Sequence, residues 1–281
     1  MADITAIILT RNEEKLIGGC IDQLKKVAKR IVVIDSFSDD NTMNILNEKD
    51  VEVYQHDFFN YSKQYKYGVE IAKPKTKWIF RIDADEYLTD ESANEIERLC
   101  NENMNTDVTG IVIRFRNVFM GREMLHGGHY PWKKLSIYKT GFGDIEDRHM
   151  DEHIVLSEGK TIETKNDCVH HAFKSLSFLT NKYNWYSTRE AMDYFEDKKV
   201  NITNASFKTR IKMNVYYKLP ISIRSYLFYV YRYYIRLGFL DGKEGKIYAF
   251  LQAYWYRFLV DAKIYEHEKL GENFEPTGKL K

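Results

Sequence analysis

The amino-terminal hundred residues alternate between short apolar runs and segments in which apolar residues recur at helical spacing. Ile4–Thr10 is a continuous, β-branched run that reads as a buried strand, because a strand covered on both faces loses the alternation of a half-exposed one. Asn12 then stands where it would cap a helix through Leu16, Ile17, Cys20, Ile21, Leu24, Val27 and Ala28. Ile31–Ile34 repeats the strand pattern, the turn Ser36–Asp40 opens a short helix through Met43, Ile45 and Leu46, and Val51–Tyr54 supplies a third strand. A helix through Lys66–Ala72 stops before Pro74, and Trp78–Ile82 is a fourth strand. Asp90 or Ser92, the latter with Glu95 in capping-box position, opens a helix that ends near Cys100. Alternating strands and helices require parallel crossovers, hence a doubly wound α/β sheet covered on both faces. Later strand patterns at Gly110–Phe115 and Leu135–Tyr138 make the sheet mixed.

The alternation stops near Lys174, and beyond it the pattern is helical. Leu219–Leu240 has the length of a membrane span but contains three arginines and Pro220, which argues against one. The division predicted is an α/β domain over 1–205 and a Tyr/Arg-rich helical region over 206–281. At 281 residues, with 44% hydrophobic and 30% charged content, the chain is long enough for one large domain with an appendage, and disorder is excluded. The net charge of +1 carries no polyanion-binding signature, so nucleic acid is not an expected partner. That charge is unevenly spread: Lys208–Lys263 holds 11 Lys and Arg against 3 Asp and Glu, and includes most of a Tyr216–Tyr265 stretch with 11 of the 21 tyrosines. Only Cys20, Cys100 and Cys168 are present, which excludes a disulfide framework and a cysteine zinc site and fits a reducing cytoplasm. Ile4–Leu9 has no basic flank or small-residue cleavage site, so it reads as a strand and not as a signal peptide.

Two acids stand at the ends of predicted parallel strands, Asp35 and Asp83, where open α/β sheets bind ligands. Asp83-Ala84-Asp85-Glu86 adds a carboxylate at i+2, on the same side as the first if the segment is extended. Convergent carboxylates repel unless a cation lies between them, and oxygen ligands favour Mg²⁺ or Mn²⁺ held together with substrate phosphate. The bland alternative is a solvated acidic turn leading into the next helix. The position after a buried strand, with Asp35 nearby in the same predicted sheet edge, favours the ligand reading.

Three segments carry a resemblance: Ala6-Ile-Ile-Leu-Thr-Arg-Asn-Glu-Glu14, Ile31-Val-Val-Ile-Asp-Ser-Phe-Ser-Asp-Asp-Asn-Thr42 and Trp78-Ile-Phe-Arg-Ile-Asp-Ala-Asp-Glu86. Together they resemble the nucleotide-sugar half of glycosyltransferase family 2. Gly121–Pro131, Asp151-Glu152-His153 and Gly238–Gly245 resemble the branch with lipopolysaccharide-core β-1,4-glucosyltransferases and related cell-surface glycan enzymes. The resemblance implies a GT-A fold, meaning a Rossmann-like nucleotide-sugar half followed here by helices. It also implies a nucleoside-diphosphate sugar donor, by default UDP-glucose, and a single inverting displacement onto a saccharide or glycolipid acceptor.

Carried over residue by residue, the resemblance implies that Thr10, Arg11, Asn12 and Glu13 line the nucleotide and that Asp35 accepts hydrogen bonds from its base or ribose. Asp83, Ala84 and Asp85 would form the D-x-D segment, with the metal, Mn²⁺ or Mg²⁺, bridging Asp85 and the diphosphate. Lys63, Gln64 and Lys66 occupy the stretch of polar donor-site residues, although their wording departs from the family's; a solvated helix face explains them equally. Glu152 matches the acidic base position, with Asp151 its rival, since neighbours in an extended segment face opposite sides. His170 matches a histidine that ligates metal or contacts the diphosphate, and His171 stands beside it. His126, Tyr130 and Trp132 belong to a Gly- and aromatic-rich loop suited to stacking on an acceptor sugar or to closing over the core.

The basic, tyrosine-rich helices are suited to packing on the catalytic domain, to homodimer contacts, or to the inner face of the plasma membrane, where aromatic rings and cations match the headgroup layer. Rival functions are a metal-dependent phosphatase or nucleotidyltransferase and a non-catalytic sugar-nucleotide or membrane-surface module. The first strand leads into Thr10-Arg11-Asn12, with neither a nucleophilic Asp nor a Gly-rich phosphate loop, and a binding module has no use for a base at Glu152.

Overall fold

The computed structural model describes residues 1–146, 152–171, 173–199 and 220–271. The chain folds as two compact units, Met1–Asn117 with Pro131–Ala172, and Val118–Tyr130 with Phe173–Lys281. The boundary expected at 205/206 lies outside the described residues.

The first unit is built from β1 (Ala2–Thr10), α1 (Ile17–Leu24), β2 (Ala28–Asp35), α2 (Thr42–Glu48), β3 (Glu52–Gln55), α3 (Tyr61–Ala72), β4 (Trp78–Asp83), β5 (Glu86–Tyr87), α4 (Asp90–Glu102) and β6 (Val108–Phe119). The short β7 (Arg122–Glu123) belongs to the second unit, and β8 (Trp132–Lys139), β9 (Gly143–Ile145), β10 (Ile154–Leu156) and β11 (Lys160–His170) complete the first. The main sheet runs in the order β3-β2-β1-β4-β8-β6-β11-β5. β3, β2, β1 and β4 are parallel, as the crossover helices demand. β8 is antiparallel to both β4 and β6, so the sheet is mixed.

Strand periodicity fixes which residues each face buries. Ile4, Ala6 and Ile8 of β1 enter a core with α1 and α4, whereas Ile7 enters the opposite core with Ile34, Tyr65 and Ala72. Gly68 lets α3 approach that face closely, since a Cβ there would lie 3.0 Å from Ile34 and 3.1 Å from Ile7.

Several local expectations are corrected. Asn12 does not cap α1: it adopts a left-handed φ of 55°, and its side chain pairs with Asp39 instead. Thr89, rather than Asp90 or Ser92, caps α4, and Ser92 answers it from inside the helix. The sequence pattern does not predict β11, because Lys160-Thr-Ile-Glu-Thr-Lys-Asn is polar on both sides and its register shifts between Glu163 and Asp167.

In the second unit, α5 (Leu176–Lys199), α6 (Ile223–Val230), α7 (Gly242–Ala249) and α8 (Tyr256–Leu270) are joined in part by wider helical turns at Tyr231–Ile235 and Phe250–Trp255. Gly245 permits close packing on the 3₁₀ turn Gly238–Asp241, since a Cβ there would collide with the Gly238 carbonyl oxygen. Among the described residues no helix is long and apolar enough to cross a membrane.

Candidate active site at the carboxyl ends of the parallel strands

The register places Thr10 beside Asp35 and Leu9 beside Asp83, so three strands deliver polar groups to one edge of the sheet. The loops after β1 and β2 are laced together there. Asn12 N–H donates to Ser38 Oγ at 2.9 Å, and Glu13 N–H donates to Thr42 Oγ1 at 2.8 Å. Thr10 is buried, and its Oγ1 has no hydrogen-bond partner among the described residues. Asp35 is fully buried: Ser38 donates to it from its backbone and hydroxyl, and Gln55 Nε2 donates at 3.1 Å.

The three helix positions separate by exposure. Gln64 is buried and ties two loops together, donating to Ser36 Oγ and the His56 carbonyl, with His56 Nδ1 2.8 Å from its Oε1. Lys63 and Lys66 are exposed; the first lies over the Phe59 ring and the second pairs with Asp144 at 3.7 Å.

The acidic segment is a turn, with Ala84 and Asp85 at its corner, so the extended i, i+2 geometry does not apply. Asp83 Oδ2 accepts from Lys134 Nζ at 2.8 Å, and the same ammonium reaches Glu86 Oε1 at 2.7 Å. Glu86, wholly buried, closes the turn by accepting from Asp83 N–H at 3.0 Å. Burial favours a neutral Asp83, but Lys134 and Arg81 outweigh it and hold its pKa below the usual value. Burial pushes Glu86 up, with Lys134 opposing. Burial also disfavours a charged Lys134, yet the two carboxylates hold it above the usual lysine value.

The antiparallel pairing of His170 with Glu86 brings β11 alongside the turn. His170 Nε2 lies 3.5 Å from Asp85 Oδ2, and His170 Nδ1 lies 2.8 Å from Asn117 Oδ1. An amide oxygen only accepts, so the Asn117 contact calls for a proton on Nδ1, and Nε2 is the ring nitrogen turned toward Asp85. His171 N–H donates to the Asp85 carbonyl at 2.7 Å, and its own pKa is lowered by burial and by His170. Trp132 stacks at a tilt on His170, with ring centroids 4.9 Å apart.

Glu152 is half-buried on the approach to β10, and Arg81, two residues before Asp83, donates to its carbonyl at 3.0 Å. Asp151 lies outside the described residues. His126 and Tyr130 belong to the second unit, where His126 Nδ1 lies 2.6 Å from Asp241 Oδ1 and His126 N–H donates to Asp241 Oδ2. Lys134, Asn117 and Arg81 were missed by sequence reasoning. The available signal for Arg81 was an arginine inside the apolar run Trp78–Ile82, whereas Lys134, one of three lysines in Trp132–Lys139, carried none.

A carboxylate with an imidazole held in place beside it can take up a divalent ion such as Mn²⁺, whose hard character puts the weight on oxygen ligands. Among the described residues no three His, Cys, Asp or Glu converge on one point, so a cation here would need further ligands from a bound molecule such as a diphosphate.

A parallel half-sheet ending in clustered carboxylates, extended by antiparallel strands and followed by helices, defines the class: a mixed α/β protein of GT-A type. Residues 5–153, more than half the chain, match the family described as Glycosyl transferase family 2, and the chain belongs to that family. It is 24% identical over 274 residues to an uncharacterised glycosyltransferase of Rickettsia typhi, covering 95% of this chain and 88% of that protein. It is 26% identical over 276 residues to the lipopolysaccharide core biosynthesis glycosyltransferase LpsC of Rhizobium meliloti, covering 95% and 93%. Among solved structures, TarS 1–349 of S. aureus covers 98% of this chain and 93% of its own at 12% identity, with a TM-score of 0.46. Family membership makes the chain a glycosyltransferase and implies a nucleotide-sugar donor and an acceptor.

Proposed function

We propose that the chain is an inverting, metal-assisted glycosyltransferase that moves a sugar from a nucleoside-diphosphate donor, by default UDP-glucose, to a saccharide or glycolipid acceptor of the cell surface. The observation that carries this reading is the facing of Asp85 and His170 Nε2, with Asn117 fixing the histidine from behind. Asp85 and His170 would hold Mn²⁺ or Mg²⁺, with Asp83 beside them. The ion would supply charge neutralisation on the departing diphosphate. Thr10, whose buried hydroxyl is unmatched, Arg11, Asn12 and Glu13 would line the nucleotide, with Asp35 holding the loop or meeting the ribose. Glu152, or Asp151 next to it, would take the acceptor hydroxyl proton as it attacks, so that the leaving group departs from the opposite face. Trp132 is the candidate for acceptor contact in the first unit, and Tyr130, from the loop in which His126 is engaged by Asp241, is the candidate in the second.

The role of LpsC in lipopolysaccharide core biosynthesis supports an acceptor of that kind. Membrane contact through 208–263 is supported by exposed Tyr226, Leu227, Tyr234 and Ile235. Arg224 is buried against Asp261, and Arg232 donates to the Gly127 and Gly128 carbonyls, so apolar insertion rather than these arginines would dominate. Flotation with liposomes that persists at high salt is the expected result; no flotation at low salt would leave packing or a homodimer as the use of this surface.

The central test is calorimetry and donor hydrolysis with UDP-sugars and Mn²⁺. UDP should bind more tightly with Mn²⁺, and Asp85→Ala should lose that gain. Metal-independent, undiminished binding in Asp85→Ala would overturn the metal assignment.

A further inference from the structure

The turn Asp83–Glu86 carries three carboxylates in four residues, and the neighbouring strand inserts a cation among them. β8 lies beside β4, and the pairing of Lys134 with Ile113 of β6 fixes its register. Trp132 and Lys134, two apart on the strand, share a face: the tryptophan stacks on His170, and the ammonium lies 5.9 Å from the tryptophan ring centre. One strand therefore carries both the residue that braces the histidine and the residue that holds the acids.

We infer that Lys134 is a positioning residue that sequesters Asp83 and Glu86 as a neutralised cluster, so that a divalent cation is offered the Asp85–His170 pair and not a multi-carboxylate cage. The inference rests on the proposed metal role of Asp85 and His170. Its physical basis is competition: Nζ at 2.8 Å from Asp83 and 2.7 Å from Glu86 stands where a metal would have to stand to be shared by those oxygens. A cation held by one carboxylate and one imidazole binds weakly alone and gains most of its affinity from diphosphate oxygens. The consequence is that metal is retained with the nucleotide and leaves with it, whereas a site with Asp83 released would keep the ion after product departs.

Mn²⁺ titration of the full chain, followed by the paramagnetic signal of the free ion, with and without UDP, tests this. Lys134→Gln should tighten nucleotide-free Mn²⁺ binding by about tenfold or more, since it releases carboxylate to the ion. The factor by which UDP enhances Mn²⁺ binding should shrink, and Lys134→Arg should restore wild-type behaviour. Lys134→Gln with Glu86→Gln removes one buried charge of each sign, so it keeps the fold even if the single variant loses it, and should show the same gain through Asp83. Unchanged or weaker nucleotide-free Mn²⁺ binding in the folded variants would overturn the sequestering role while leaving the metal site intact. Wild type that binds no Mn²⁺ even with UDP would instead remove the metal reading itself, and this inference with it.

Discussion

His170 in the first unit and His126 in the second both touch an aspartate, yet the surroundings differ. His126 faces Asp241 at 2.6 Å, and the same aspartate also accepts the His126 backbone N–H, so ring and backbone of one residue close on one carboxylate. His170 stands 3.5 Å from Asp85, too far for a good hydrogen bond, while its other nitrogen is held at 2.8 Å by Asn117. A short, doubly made contact is an anchor; a looser contact braced from behind fits the ligand role proposed for His170. The contrast extends to the units. In the helical unit, Arg224 with Asp261 and Arg257 with Glu190 meet partners within the same unit. At the strand ends, charges are arranged around a turn and a threonine hydroxyl that has no partner among the described residues. Substitutions in the first unit's edge should therefore cost activity at nearly constant stability, and those in the second should cost stability.

The largest effect is expected at the candidate base. Glu152→Gln keeps shape but cannot take a proton at neutral pH, so transfer should fall by about 10²–10⁴ while UDP affinity and Tm hold. If Asp151→Asn is crippled and Glu152→Gln transfers normally, the neighbour is the base. On the other side of the comparison, Arg224→Met strands a buried Asp261 carboxylate and should cost about 3–5 kcal/mol of stability in denaturant titration. A variant that melts like wild type would show that this pair is no anchor.

Asn117→Ala frees the His170 ring to choose the other tautomer. Mn²⁺ affinity in the presence of UDP should drop by about 10–100-fold with little change in Tm, and a large loss of Tm without loss of Mn²⁺ affinity would move His170 into the anchor class. The smallest effect is a pH trend. Burial, helped by Arg232, lowers the His129 pKa to about 4, against about 6.5 in an unfolded chain. The unfolded state then binds the extra proton first, so this stabilisation is complete above pH about 6.5 and is lost as pH falls toward about 4. The difference in Tm between wild type and His129→Gln should narrow across that window, and a difference independent of pH would show that the ring is not held neutral.

Strands β1, β2 and β4 were legible because each is a buried apolar run, and burial on both faces leaves little ambiguity about strand type, whereas β3, half-exposed at the sheet edge, was legible only through its place in the strand–helix alternation. Asp35, Asp83 and Asp85 were legible for the same reason: a carboxylate directly after such a run has to emerge at a strand end. Caps were less legible. Asn12 looked like a helix cap, but local sequence cannot show that Asp39, far along the chain, offers it a better partner.

By itself the sequence determined the α/β class, the order of the first four strands and of the helices among them, the helical pattern of the described residues after Lys174 and the acids at the sheet edge, because these depend on periodicity and on neighbours in the chain. Only the tertiary structure decided that β11, polar along much of its length, enters the sheet beside β6 and delivers His170 to Asp85. It alone decided that Lys134 divides the acidic segment, that Asn117 holds the Nδ1 side of His170, and that His126 closes on Asp241. Each of these is a contact between residues dozens of positions apart, whose energy depends on distance and burial in space, and no local pattern of hydrophobic and polar residues encodes those quantities.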